Sequence, residues 1–93
     1  MSTAAYAGDY VITLKDHAFS PAELTIPADQ KVKITVKNLD TMPAEFESYD
    51  LNREKVVSAQ SEISVFVGPL NAGQYKFFDD FHRDTTTGTL IAK

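Results

Sequence analysis

Asp79, Asp80 and His82 fall within four residues of one another in the segment YKFFDDFHRDTTTG, residues 75–88. Two carboxylates and an imidazole at that spacing are donors for a cation, or caps for the N–H groups of a turn. The strand leading into them sharpens the question. Tyr75, Phe77 and Asp79 share one face of a two-residue period, while Lys76, Phe78 and Asp80 share the other. A carboxylate on the side of two large aromatics is costly to bury unless something pairs with it. A second acidic pair, Glu45 and Glu47, alternates on one face of the short run EFES, which also fits a solvated edge. Met42, ahead of Pro43, is a soft donor or a loop hydrophobe. His17, in KDHAFSP, is expected at a strand end on the surface, far from the other candidates. Asn52 to Lys55, NREK, reads as a salt-bridged loop or as charge that steers a partner.

Whole classes of chemistry are absent from the chain. It has no cysteine, which removes disulfides, thiolate metal sites and cysteine nucleophiles. No G-x-S-x-G elbow surrounds a serine, and the glycines at 8, 68, 73 and 88 stand singly, so phosphate loops and dinucleotide fingerprints are out. A net charge of −4 argues against nucleic acid and anionic membranes, and suits cations or a basic protein partner. No apolar run approaches a membrane span, so no membrane insertion is expected. The opening MSTAAYAGDY lacks the basic and apolar regions of a signal peptide. Residues 1–8 are expected to form a flexible N-terminal segment and residues 9–93 one domain, monomeric or weakly dimeric.

The elements that must position the candidates are strands. DYVITLK alternates Tyr10, Ile12 and Leu14 against Val11 and Thr13. FSPAELTIPADQ carries Pro21 and Pro27, which suits an edge or a short extended piece. KVKITVKN turns Val32, Ile34 and Val36 inward and its lysines to water. EFESYD reads as a short strand, and YDLNREKVV as a helical turn or long loop before Val56 and Val57. SEISVFVGPLNAGQYKFF holds two strands joined through Gly-Pro and Asn-Ala-Gly turn signals, and GTLIA closes the chain. Seven to eight short strands in under a hundred residues predict an all-β sandwich or small barrel with Greek-key connections.

This order of elements resembles the cupredoxin family of small copper-binding β-sandwiches over nearly the whole chain. HAFSPAELTIPADQKVKITVKN is similar to that family's N-terminal half. NLDTMPAEFE is similar to its first ligand loop, where Asn and then Met-Pro-His deliver a histidine to copper. GQYKFFDDFHRDTTTGTLIAK is similar to its C-terminal signature, Y-x-F-x-C-x-x-H followed by Met, Gly and the last strand. Carried over position by position, the first histidine is Ala44, the cysteine is Asp79, the second histidine is retained as His82, and the axial methionine falls near Thr86. The resemblance therefore implies a cupredoxin-like Greek-key sandwich without a blue-copper centre, since that centre needs the thiolate and both imidazoles.

What stands in place of the copper ligands implies different chemistry. In the resembled fold the two ligand loops meet at one end of the sandwich, which would bring Asp79, Asp80 and His82 to Glu45 and Glu47. That hard, oxygen-rich set suits Fe2+, Fe3+ or Mn2+, with Cu2+ able to bind on affinity alone. EFESYDLNREKVV, GPLNAGQYKFF and FHRDTTTGTL further resemble a thiolate-free subgroup from bacterial elemental-iron uptake systems. The subgroup implies a periplasmic protein that binds iron and assists its oxidation and transfer. Its partners would be a second, copper-binding periplasmic protein and a membrane iron permease. Two other readings stay open: a metal-free module whose acidic loops dock a partner, and a mononuclear non-blue copper protein. One imidazole is thin for the latter unless His17 or a partner contributes.

Overall fold

The computed structural model describes residues 8–93; residues 1–7, most of the segment expected to be flexible, lie outside the described residues. The strands are β1 (Asp9–Lys15), β2 (Ala18–Ser20), β3 (Glu23–Ile26), β4 (Val32–Asn38), β5 (Ala44–Ser48), β6 (Arg53–Val57), β7 (Glu62–Val67), β8 (Gly73–Asp79) and β9 (Thr87–Ala92). A 3₁₀ turn, Asp80–His82, follows β8. The strands form two sheets, one in the order β2-β1-β4-β7 and one in the order β3-β9-β8-β5-β6. β1 runs parallel to β4 and β3 parallel to β9, and the remaining ladders are antiparallel. The protein is an all-β sandwich, as expected. No helix among the described residues is long and apolar enough to cross a membrane.

Among the described residues, nine strands stand where seven to eight were expected. One extra strand comes from FSPAELTIP, which breaks at Pro21 and changes sheets, leaving β2 at the edge of one sheet and β3 at the edge of the other. Proline cannot donate to a ladder, so the break falls where pairing has to stop. The other correction concerns YDLNREKVV, read as a helical turn or long loop. A turn closes with Asn52 at φ 56°, and Arg53–Val57 then pairs along β5 as an edge strand. Its first four residues are exposed, so no alternation marks it in the sequence.

The inward faces follow the predicted period. β4 buries Val32, Ile34 and Val36, and β8 buries Phe77 and Asp79 between half-buried or exposed neighbours. Phe19, Phe46 and Phe77 meet between the sheets, with Phe19 edge-on to both partners at 6.5 and 5.0 Å. Each such ring contributes roughly 1.5–3 kcal/mol of burial before entropic costs. Phe77 stands opposite Gly88 across β8 and β9, and its ring occupies the space a Cβ at 88 would need.

Candidate metal centre

The pleat of β8 carries Asp79 inward, and Asp80, which opens the 3₁₀ turn, is half-buried beside Glu45 and Arg83. Asp79 pairs across the ladder with Phe46, so its carboxylate enters the end of the core. It is fully partnered there. Oδ1 accepts from the N–H of Glu45 and of Phe81, each at 3.0 Å, and Oδ2 lies 3.1 Å from His82 Nδ1. A carboxylate only accepts, so Nδ1 of His82 carries the proton and its lone pair is left at Nε2. The Asp79 side chain is 2% exposed and that of His82 27%. The positions matched to copper ligands converge at this end. Asp79 N–H donates to Thr86 O, and Thr86 N–H donates to His82 O, both at 2.9 Å.

The outer face of the same sheet holds a different group. Glu45 and Glu47 alternate outward from β5, and Glu54 stands directly opposite Glu47 on β6. Carboxylate oxygens of these three residues lie within 4.8 Å of one another. Burial, then the carboxyls of Glu54 and Asp80 within hydrogen-bond reach, push Glu45 up to about 7. Burial and the charges of Glu54 and Asp80 raise Glu47 as well, against the opposing charge of Arg83. Asp80 moves the other way, because the Arg83 guanidinium donates to it and outweighs its burial. Arg83 is raised by the same partner and by Tyr49, whose hydroxyl it reaches at 3.2 Å. Its guanidinium lies over the Phe78 ring at 5.1 Å, which Tyr49 flanks at 5.3 Å. Like charges opposed across a ladder destabilise a sheet, and a bound cation relieves them.

The five candidates thus occupy two faces. Glu45, Glu47 and Asp80 share the outer face, while Asp79 and His82 form a pair on the inner side of β8's end. Sequence reading missed Glu54, because the strand that sets it opposite Glu47 gives no periodic signal. His17 is a second correction. It was expected far from the ligand loops, yet its ring lies 4.2 Å from that of His82. A cavity of about 270 Å3 between β6 and β7 is lined by Phe46, Arg53, Glu54, Lys55, Ser64 and Phe66, so its charged rim mixes two cations with one carboxylate.

A family model, that of the cupredoxin-like domain, matches residues 2–92. The chain belongs to the cupredoxin-like domain family. An uncharacterized protein of Rickettsia prowazekii (strain Madrid E) is 42% identical to this cupredoxin-like domain over 80 residues, 86% of the chain. The chain spans 64% of that relative's length. Among solved structures, auracyanin A, a blue copper protein from Chloroflexus aurantiacus, superposes with a TM-score of 0.78 at 16% identity, covering 94% of this chain and 100% of that one. The metal-binding domain of a Cu(I)-exporting P-type ATPase of Streptococcus pneumoniae D39 gives 0.77 at 13% identity, covering 91% and 84%. Identities this low speak to the fold alone.

A blue-copper centre does not fit the residues present. The chain has no cysteine, and Asp79, at the position the resemblance assigns to the thiolate, is buried with its two oxygens already engaged. Ala44 stands at the position that the resemblance assigns to the first imidazole. The chain keeps the cupredoxin-like fold and has no cysteine to supply the thiolate that a blue-copper centre requires.

Proposed function

We propose that this cupredoxin-like domain binds iron as a periplasmic component of a bacterial ferrous iron uptake system. It would hold the ion on Glu45, Glu47 and Glu54, with Asp80 beside them, while a copper-binding partner protein supplies the redox chemistry and a membrane permease receives the product. The observation that carries this reading is the meeting of three glutamate oxygens within 4.8 Å on one sheet face. An all-oxygen, anionic set suits a hard cation, and its negative charge favours Fe3+ over Fe2+. In this reading Fe2+ gives one electron to the partner's Cu2+, leaving Fe3+ on the carboxylates and Cu+ on the partner. The likeness of EFESYDLNREKVV and FHRDTTTGTL to the thiolate-free subgroup supports the choice of system.

Anaerobic calorimetric titration with Fe2+ tests it. One saturable site in the intact protein is expected, lost in Glu45→Gln/Glu47→Gln/Glu54→Gln. Absence of a saturable site, or a site that survives the triple substitution, sinks the reading.

A second reading, a docking module, is favoured by the exposure of Leu39, Met42 and Phe81 on the two loops at the Asp79 end. Partner binding that survives the triple glutamate substitution, without iron binding in the intact protein, would select it.

A further inference from the structure

Asp16 and His17 join β1 to β2 in a two-residue turn with φ of 52° and 60°. Two consecutive left-handed residues without glycine are an unfavourable choice unless the surroundings hold them. Here they are held from both sides. The Asp40 carboxylate accepts from the N–H of Asp16 at 2.6 Å and of His17 at 3.1 Å. Thr86 Oγ1 donates to the His17 carbonyl at 2.6 Å. The result is that the His17 ring is laid against His82, with centroids 4.2 Å apart and planes tilted by 38°.

His82 is itself oriented. Asp79, buried and fixed by two backbone amides, accepts the hydrogen bond of Nδ1–H, and in the neutral ring this leaves the lone pair at Nε2. A carboxylate behind an imidazole is the arrangement that fixes the tautomer of a metal-ligating histidine and raises its basicity. A stack made only for packing would need no buried carboxylate behind one ring and no strained turn behind the other.

We propose that His17 and His82 form a two-imidazole site for a divalent cation of borderline softness, of the Cu2+ and Zn2+ class, with water completing the coordination. Asp79 is the positioning residue for His82, and Asp40 secures the turn that carries His17. Nitrogen donors select such ions over the hard cations that an all-carboxylate set takes. The site is independent of the glutamate cluster: it lies at the inner, Asp79 side of the sheet, and each can fail without the other.

Cu2+ added to the full chain, read by electron paramagnetic resonance, tests the proposal. At one equivalent or less, hyperfine structure from two imidazole nitrogens is expected. His17→Gly suits a φ of 60° and removes one ring, so the pattern should fall to one nitrogen. Glu45→Gln/Glu47→Gln/Glu54→Gln should keep both. Without any substitution, sub-stoichiometric Cu2+ should broaden the ring C–H resonances of His17 and His82 before others. Broadening confined to Glu45, Glu47 and Glu54, or a two-nitrogen pattern that persists in His17→Gly, overturns the site.

Discussion

The backbone N–H of Glu45 donates to the Asp79 carboxylate at 3.0 Å, while the two side chains leave the sheet on opposite faces. The chain thus brings the two acidic segments together and separates their chemistry by a single pleat. On one side the carboxylate is satisfied by amides and an imidazole. On the other, Glu45, Glu47 and Glu54 face one another with Arg83 as a cationic neighbour held by Asp80. Anionic groups without enough compensation are the ones a cation stabilises most.

Glu45 sets a pH dependence whose sign follows from its raised value. Folded, it titrates at about 7 against 4.5 for the unfolded carboxyl. The folded state therefore binds the proton more tightly, and this contribution to stability is full below the unfolded value and lost as pH rises through the folded one. Thermal unfolding from about pH 4 to about pH 8 should show the intact protein losing ground relative to Glu45→Gln over that window. Fe2+ must displace the same proton, so its affinity should climb across the same range in titrations at stepped pH. A midpoint difference independent of pH would contradict the cluster geometry.

Asp79→Asn should exchange the tautomer of His82. The amide oxygen can keep the N–H groups of Glu45 and Phe81, which turns the NH2 toward Nδ1. Nδ1 then accepts, the proton moves to Nε2, and the outward lone pair is lost. Imidazole 15N shifts should report protonated Nδ1 in the intact protein and protonated Nε2 in the variant. Cu2+ affinity should drop by roughly 10–100-fold, the usual cost of disturbing such a partner. A purely structural Asp79 would alter stability and leave the tautomer of His82 unchanged.

The residues explain which of these features a reader of the sequence sees. β4 and β8 alternate because one face of each is packed against the other sheet, and burial imprints its period on residue type. β6 is an edge strand with four exposed residues in succession, so its sequence carries no record of its pairing, and Glu54 was hidden with it. The turn at Asp16-His17 lacks the Asn-Gly or Gly signature of a two-residue hairpin. Its conformation is imposed by Asp40, a residue 23 positions away from His17, and no local pattern encodes that contact. Asp79 was legible as an inward carboxylate, but its partners come from β5 and the 3₁₀ turn.

Gly88→Ala should be strongly destabilising although it adds one methyl group. The new Cβ would overlap the far edge of the Phe77 ring and press on the Ala22 carbonyl. Phe77 is buried at 1% exposure and packed against Phe19 and Phe46, so the ring has little room to yield. Overpacking of this kind costs about 1–3 kcal/mol. Urea unfolding should show the midpoint lowered with an unchanged slope. An unaltered midpoint would mean that the inter-sheet space is looser than the ring contacts indicate.

Asn38 closes the end of β4 and, through its neighbours, governs the His17 turn. It is buried, and its NH2 faces the carbonyls of Met42, Val57 and Ser58 at 2.9, 3.2 and 3.3 Å. Its Oδ1 accepts from the Asp40 N–H at 3.0 Å, which sets the Asp40 carboxylate beneath Asp16 and His17. Asn38→Ala leaves these groups without that partner, and each buried one costs about 1–3 kcal/mol. Asn38→Asp is worse, because it points an acceptor at three acceptors. The effect should reach beyond stability. In Asn38→Ala that still folds, cross-relaxation between the rings of His17 and His82 should weaken, since the turn has lost the residue that positions its clamp. Intact ring contacts in a folded variant would show that the turn holds without Asn38.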